Sequence, residues 1–337
     1  MTIRVAVDAM GGDEAPAVVV EGAVRAVEQA SARLHVLLCG REALLRAELA
    51  THEAPVVQEA IEIIDAPEVI GMGEAPVAAV KTKRRSSIHV GLAAHKQGGA
   101  DAFISAGNTG AVMAASLFIL GRLPGVARPS IPGYFPTTEG TCLVIDVGSN
   151  MDCKPEHLVQ FAQMGAVFAQ GLLKIERPAV GLLNVGEEPG KGNDLVKAAY
   201  GLFQQMSAPH FVGNVEGHDI MHHVADVVVC DGFVGNALLK YGESITTAVK
   251  EMVAQEMARH DLSLPQQQAV RQVFDGVQKR FNPEEHGGAP LLGIDGTVFI
   301  GHGSSTARAI ERLILTAARA AELGLTRSLA DLFHATV

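Results

Sequence analysis

The chain has 337 residues, 48% of them hydrophobic, which is enough for one large α/β core or for two coupled halves. Its formal net charge of −10 excludes a general nucleic-acid binder, because such a protein needs a basic face that releases counterions. The four cysteines lack a CxxC spacing, so neither a zinc site nor structural disulfides are predicted.

Apolar strands and amphipathic helices alternate from the first residues onward. Strand patterns are predicted at Ile3–Asp8, Leu34–Cys39, Ile61–Asp65, Ala102–Ile104, Cys142–Asp146, Ala179–Asn184, His210–Val212 and Val227–Cys230. Helical patterns are predicted at Ala15–Gln29, Arg41–Thr51, Ile88–Lys96, Ala111–Leu120, Pro155–Leu172 and Asp194–Gln205. This order predicts an α/β fold with a doubly wound, mostly parallel sheet. Because no segment resembles a linker, residues 1–337 are predicted to be a single α/β domain.

No secretory signal pattern precedes the first strand, which begins at the N-terminus of the sequence. No run approaches the ~18 apolar residues of a membrane span. We therefore expect a cytoplasmic protein.

The segment 241–281 has a different pattern. Its apolar residues recur with helical spacing in two runs, separated by a breaker at 261–265, which predicts a projecting helical hairpin. The residues leave three interpretations open. The apolar stripe packs on its own sheet, the stripe pairs with the hairpin of a second copy, or the apolar tip at Leu262 and Leu264 touches a membrane surface.

Glycine-rich loops follow most of the predicted strands. Short β-branched runs end in Gly with Asn, Asp or Ser in the segments 5–13, 103–111, 143–150, 182–193, 211–217 and 227–236, and the loop 301–305 has the same chemistry. Ligands of open α/β sheets bind outside the carboxyl ends of the strands. We therefore expect these loops to converge on one anion-sized target.

Lys191 lies in the loop 186–193, where backbone N–H groups and the N-terminus of the following helix favour an anion. The loop is not a Walker A motif, because Asn193 stands where a Ser or Thr would bind a metal ion. The first loop lacks GxGxxG, so NAD binding is not supported either. The alternative interpretation is an ordinary glycine-rich turn with a solvated lysine.

Asn236 stands in the loop 231–236, immediately before a predicted helix. Its amide could donate a hydrogen bond to a developing oxyanion, or its side chain could cap the helix. No GxSxG elbow surrounds any serine, so an acyl-serine intermediate is not predicted.

Four basic residues are concentrated near the middle of the first half of the chain: Lys81, Lys83, Arg84 and Arg85. Such a run is either a solvated face or, on an acidic chain, a docking surface for an acidic partner.

Eight ordered motifs span nearly the whole chain. They are VDAMGGD (7–13), SAGNTGA (105–111), DVGSN (146–150), KPEHL (154–158), LNVGE (183–187) with KGN (191–193), GNVE (213–216), DGFVGN (231–236) and GHGSS (301–305). Together they resemble the bacterial phosphate acyltransferase family, PlsX. The resemblance implies a fold similar to the phosphotransacetylases and to the isocitrate/isopropylmalate dehydrogenases. It also implies transfer of a fatty acyl group from acyl-[acyl carrier protein] to inorganic phosphate, giving acyl phosphate for phospholipid synthesis.

The resemblance implies that Lys191 and Asn236 are the catalytic residues. Lys191 would hold phosphate with the N–H groups of the loop, while Asn236 would polarise the thioester oxygen. Further phosphate and substrate contacts are predicted at Asp8, Gly11, Gly12, Asp13, Asn108, Thr109, Gly110, Asn150, Asn184, Gly190, Gly192, Asn193, Asn214, Glu216, Asp231, Ser304 and Ser305. The basic run would dock the acyl carrier protein.

The resemblance further implies a homodimer paired through the hairpin, which would also contact the membrane peripherally at the inner face of the cell membrane. A glycerol-3-phosphate acyltransferase is a further expected partner. We expect no metal, no cofactor and no nucleic acid at the site. The alternative from another functional class is a non-catalytic, membrane-associated scaffold for lipid-synthesis enzymes, which the hairpin alone would support.

Overall fold

The computed structural model describes residues 2–30, 33–52, 59–260, 262–281 and 287–334. The chain divides into two compact units. The first unit comprises residues 1–129, 170–175 and 286–337, and the second comprises 130–169 and 176–285. That the whole chain acts as one catalytic domain stays a prediction.

The strands of the described residues are short. They are β1 (Ile3–Asp8), β2 (Leu34–Gly40), β3 (Ile61–Asp65), β4 (Ala102–Ser105), β5 (Pro132–Pro136), β6 (Thr141–Ile145), β7 (Ala179–Leu183), β8 (His210–Val215), β9 (Val227–Val229), β10 (Ala289–Pro290) and β11 (Val298–Ile300). The predicted strands are all present, with ends that differ by a few residues. The strands β5, β10 and β11 were not predicted.

The helices of the described residues include every predicted one. They are α1 (Ala17–Ala30), α2 (Glu42–Leu49), α3 (Pro76–Thr82), α4 (Ser87–Lys96), α5 (Thr109–Ile119), α6 (Pro155–Gly171), α7 (Asp194–Phe203), α8 (Gly232–Arg259), α9 (Leu264–Arg280), α10 (Ala307–Glu322) and α11 (Leu325–His334). In the first unit, α1 packs closely on α10 because Gly22 has no side chain. A Cβ at Gly22 would lie 2.6 Å from the Cβ of Ile310.

Two sheets form where the sequence suggests one. In the first unit the strand order is β10-β11-β4-β1-β2-β3, and in the second it is β5-β6-β9-β7-β8. All neighbours pair in parallel except β10 with β11 and β5 with β6. The α/β class with mostly parallel sheets is as predicted. Strand periodicity shows where a strand lies but not which strand it pairs with, so the division into two sheets was not visible in the sequence.

The predicted hairpin consists of α8 and α9, and α8 already begins at Gly232. Asp231 starts this helix, because its Oδ1 accepts hydrogen bonds from the N–H groups of Phe233 (3.0 Å) and Val234 (3.1 Å). Among the described residues from 241 to 281, no side chain is buried. The apolar stripe of the hairpin therefore does not pack on its own sheet, and that interpretation is wrong for the isolated chain.

No helix within the described ranges combines the length and the apolar composition that crossing a bilayer requires.

Candidate active site

In the second unit, polar residues gather at one edge of the sheet. The strands β6, β9, β7 and β8 are neighbours and run parallel, so their carboxyl ends lie at the same edge. The predicted site residues that fall in this unit are Asn150, Asn184, Gly190, Lys191, Gly192, Asn193, Asn214, Glu216, Asp231 and Asn236. Both predicted catalytic residues thus belong to one compact unit.

Hydrogen bonds connect the loops at this edge. The N–H of Gly232 donates to the carbonyl oxygen of Asn150 at 2.8 Å and so ties the β9 loop to the β6 loop. The side-chain Nδ2 of Asn214, in β8, donates to the carbonyl oxygens of Glu187 (3.3 Å) and Glu188 (3.0 Å). The loop that carries Lys191 is therefore held from the neighbouring strand.

The Lys191 side chain is exposed on this loop. Asn184 Nδ2 donates to the Lys191 carbonyl oxygen at 3.2 Å, and the Lys191 N–H donates to Glu188 O at 3.0 Å. The ammonium group lies 3.9 Å from Glu188 Oε2, and the two side chains are 54% and 69% exposed. An ion pair this exposed contributes about 0–1 kcal/mol, so an incoming anion can displace it.

Asn193 ends the loop as the N-cap of α7. Its Oδ1 accepts a hydrogen bond from the Val196 N–H at 2.9 Å. One N–H group of the first helical turn is thereby occupied by the protein itself. The remaining positive end of the helix still faces the loop that carries Lys191.

Position 192 in the Lys191 loop requires glycine. Its φ of +91° is in the left-handed region, and a Cβ there would overlap Asn184 Oδ1, the acceptor that also binds the Val185 N–H at 2.8 Å. Only glycine therefore fits between Lys191 and the helix cap.

We expect Gly192→Ala to destabilise this loop by about 1–3 kcal/mol and to raise the KM for phosphate several-fold, because Asn184 must release the Lys191 carbonyl. Steady-state kinetics and thermal unfolding measure both effects. The matched control is Gly201→Ala in α7, where an added Cβ meets nothing within 4 Å. Equal kinetics of the two variants would contradict the tight fit at Gly192.

Asn236 lies inside α8 rather than at its start. Because Asp231 caps this helix, the interpretation of Asn236 as the cap is wrong. The Asn236 side chain lies beside Gly148, whose φ is +135°, and a Cβ at Gly148 would be 3.4 Å from Asn236 Oδ1. The Asn236 amide forms no hydrogen bond with a described residue, so it is available for another partner.

Asp146 organises the loop beside Asn236, and sequence reasoning did not single it out as a site residue. Its Oδ1 accepts hydrogen bonds from the N–H groups of Gly148 (2.9 Å) and Ser149 (2.8 Å), and its Oδ2 accepts one from Asn150 Nδ2 (2.6 Å). The carboxyl group is buried, and this burial raises its pKa against the lowering effect of those bonds. An Asp two residues before a glycine in a strand-end loop was the available signal.

Asn214 and Glu216 complete the edge at β8. Asn214 is buried, and within the described part of the chain its Oδ1 has no hydrogen-bond partner. The Glu216 N–H donates to Asp219 Oδ2 at 2.9 Å. Asn214 thus holds the Lys191 loop through its amide nitrogen and leaves its oxygen unused.

The first unit has a similar edge, formed by the loops after β1, β4 and β11. The predicted site residues here are Asp8, Gly11, Gly12, Asp13, Asn108, Thr109, Gly110, Ser304 and Ser305. The Asp13 N–H donates to Gly303 O at 2.7 Å, which connects the first loop to the loop 301–305. Ser304 is exposed, with its Oγ 2.8 Å from Nδ1 of His302.

Asp8 is a buried brace between the β1 and β4 loops. Its Oδ2 accepts a hydrogen bond from Ser105 Oγ at 2.6 Å, and its Oδ1 accepts one from the Met10 N–H at 3.2 Å. Burial raises the pKa of this carboxyl group, and its hydrogen bonds lower the pKa by a smaller amount, that from Ser105 the most. Both oxygens thus already have partners inside the protein.

Asn108 is likewise committed to internal contacts. Its Oδ1 caps α5 by accepting a hydrogen bond from the Ala111 N–H at 3.0 Å. Its Nδ2 donates to carbonyl oxygens of the 71–74 loop, among them Met72 (3.0 Å) and Glu74 (3.1 Å). The neighbouring Thr109 is exposed.

Only some of the four side chains of the basic run form ion pairs within the protein. Lys83 Nζ bonds Glu74 Oε1 at 2.5 Å and Val69 O at 2.7 Å, and the Lys83 hydrogen bond lowers the pKa of Glu74. Arg85 lies 3.8 Å from Asp65 Oδ2. Lys81 and Arg84 are exposed and form no ion pair with any described residue. The surface offered to a partner is therefore centred on Lys81 and Arg84.

Comparison with known proteins shows full-length similarity to one family. A sequence model of the family described as "Fatty acid synthesis protein" matches residues 3–327. A phosphate acyltransferase of Salinibacter ruber is 56% identical over 334 residues, which cover 99% of this chain and 98% of that protein. A phosphate acyltransferase of Chlorobaculum parvum is 46% identical over 327 residues, 94% of each chain.

Solved structures with a similar fold are more distant in sequence. The EutD phosphotransacetylase from Staphylococcus aureus has a TM-score of 0.59 at 16% identity, covering 95% of this chain and 94% of that chain. A branched-chain phosphotransacylase from Enterococcus faecalis also has a TM-score of 0.59, at 15% identity, covering 95% of this chain and 99% of that chain. At such identities the similarity shows the fold alone.

Proposed function

From the premise that this chain belongs to the fatty acid synthesis protein family, and to the phosphate acyltransferases within it, we propose that it transfers a fatty acyl group from acyl-[acyl carrier protein] to inorganic phosphate. The product is an acyl phosphate for phospholipid synthesis. The observation that carries this proposal is the exposed Lys191 on a loop held by Asn184 and Asn214, at the carboxyl edge of a parallel sheet. No serine nucleophile is required, because phosphate itself is the nucleophile.

The reaction forms one bond and breaks one. A phosphate oxygen attacks the thioester carbonyl carbon, and the carbonyl electron pair moves onto the oxygen. Asn236 donates its amide hydrogen to that oxyanion, which is where preorganised donors act most strongly. The C–S bond then breaks, and the carrier thiolate leaves with the electron pair and takes a proton from solvent. Lys191 holds the phosphate and offsets its charge throughout.

One assay tests the activity directly. Purified chain is mixed with palmitoyl-[acyl carrier protein] and phosphate, and acyl phosphate is trapped as the hydroxamate. We expect product that depends on added phosphate. The scaffold alternative predicts no phosphate-dependent loss of thioester, and that result would overturn the proposed function.

We propose that the acyl carrier protein docks on the run of Lys81, Lys83, Arg84 and Arg85. Carrier proteins that present an acidic face are attracted to a basic patch on an otherwise acidic chain. Lys81 and Arg84 would make the contacts, because Lys83 and Arg85 are paired with Glu74 and Asp65.

The double variant Lys81→Glu with Arg84→Glu should raise the KM for the acyl carrier about tenfold and flatten its dependence on salt, since rim charges set encounter rates that ions screen. The KM for phosphate should stay the same. The control reverses two other exposed charges, Lys174→Glu with Arg177→Glu. If the salt dependence of the docking variant equals that of the wild type, the carrier docks elsewhere.

We propose that the hairpin pairs two copies of the chain and touches the inner face of the cell membrane. Large apolar side chains are exposed along it, including Tyr241, Met252, Leu264 and Val273. A cavity of about 490 Å³ lies between its two helices, and Val253, Met257 and Phe274 are among the residues that line it. A glycerol-3-phosphate acyltransferase that consumes acyl phosphate would be a partner at that surface. Sedimentation without lipid vesicles tests the pairing of two copies, and sedimentation with vesicles tests the membrane contact. A monomer that does not bind vesicles contradicts both proposals.

A further inference from the structure

A cavity of about 430 Å³ opens in the second unit beside the Lys191 loop. Its walls come from four elements: α6, β7, α7 and α8. Its apolar lining includes Leu158, Leu182, Val196, Val234 and Leu238. The volume falls within the ~300–1,000 Å³ that is typical of small-molecule sites.

Each amide or carboxyl side chain of the lining already forms at least one hydrogen bond within the protein. Asn184 bonds the Lys191 carbonyl and the Val185 N–H, Asn193 caps α7, and Asp231 caps α8. Most of the hydrogen bonds that these side chains form are to backbone groups of the protein. A polar ligand would therefore replace few of the hydrogen bonds to water that it loses on entry, whereas an apolar ligand would lose none.

The cavity borders both segments that carry the predicted catalytic residues. Gly192 and Asn193, which follow Lys191 directly, form part of its wall. Val234 and Leu238 lie one helical turn apart on α8, and Asn236 lies between them in sequence. Because residues two apart on a helix point to different sides, Asn236 faces Gly148 while Val234 and Leu238 face the cavity.

The cavity also reaches the surface. Val185 and Val234, both in its wall, are 78% and 38% exposed. A ligand can thus enter the cavity beside the Lys191 loop without the protein having to open its core.

We propose that this cavity binds the apolar acyl chain of the thioester beyond the carbons next to the carbonyl, and so sets acyl-chain preference; this rests on the proposed function. The acyl carbonyl then lies at the Lys191 and Asn236 segments while its hydrocarbon extends between α6, α7 and α8. Chains too short to reach Leu238 gain nothing from that side of the cavity.

The test fills the cavity with a larger side chain. Leu238→Trp should lower kcat/KM at least about tenfold for palmitoyl-[acyl carrier protein] and change it less than about threefold for butyryl-[acyl carrier protein], in the phosphate-dependent hydroxamate assay. Leu238→Ala, which does not fill the space, should keep more palmitoyl activity than Leu238→Trp. Leu239→Trp is the matched control, because Leu239 is the next residue of α8, is also partly exposed and does not line the cavity.

The outcomes separate this inference from the proposed function. If the wild type forms no acyl phosphate from either donor, the proposed function fails. In a second outcome, the wild type is active and Leu238→Trp lowers kcat/KM equally for the palmitoyl and butyryl donors. In that case the cavity binds the part that all donors share, the carrier's thiol arm, and the acyl-chain proposal is overturned. If Leu238→Trp and Leu239→Trp behave alike, the proposal is overturned as well. Retained butyryl activity in the same variant shows that it has folded.

Discussion

Replacing Lys191 with alanine should reduce acyl phosphate formation at least about a hundredfold, which corresponds to roughly 2.7 kcal/mol of lost transition-state stabilisation. Lys191 is the cation on the loop held by Asn184 and Asn214, and phosphate carries its negative charge both when bound and during attack. We therefore expect the KM for phosphate to rise and kcat to fall together. Initial rates at varied phosphate measure both.

The fold should survive this change. The Lys191 ammonium pairs only weakly with Glu188, at 3.9 Å on an exposed surface, so its removal costs little stability. The control is Lys197→Ala in α7, another exposed lysine close to the loop in sequence. Turnover of Lys191→Ala within a few-fold of Lys197→Ala would remove Lys191 from the mechanism. Lys191→Arg should recover part of the activity, because it keeps the charge but not the compact ammonium group.

Replacing Asn236 with alanine should lower kcat about 100- to 1,000-fold, the usual cost of losing one donor to an oxyanion. The oxyanion exists only after phosphate has attacked, so the KM for phosphate should change much less than kcat. Full kinetics in both substrates make this comparison.

Asn236→Asp is the matched variant, since it keeps the size and shape of the side chain and replaces the amide donor with a carboxylate. It should be at least as impaired as Asn236→Ala. A rise in the KM for phosphate that exceeds the fall in kcat would assign Asn236 to phosphate binding instead. Unchanged thermal unfolding of both variants would show that the loss of activity does not come from loss of the fold.

Much of the candidate site could be located before any coordinates. The strand-end loops, the lysine on one of them and the order of the motifs are properties of neighbours in the chain, and the helix that follows Asn193 begins at Asp194, as its helical pattern predicts. Asp146 escaped notice because its role depends on burial and on three donors that converge on one carboxyl group. The sequence does not distinguish Lys83 from Arg84, because the ion pair of Lys83 with Glu74 forms only in the folded structure.

Most helices and strands, their order, the α/β class and the amphipathic hairpin follow from the sequence by itself, because hydrophobic period and turn chemistry act over a few neighbouring residues. Tertiary structure alone decided that the strands form two sheets, that Asp231 rather than Asn236 caps α8, and that Leu158, Val196 and Leu238 surround one cavity. These features depend on pairings between residues far apart in the chain. Such pairings are selected by packing and hydrogen bonding of the whole fold, so no local pattern records them.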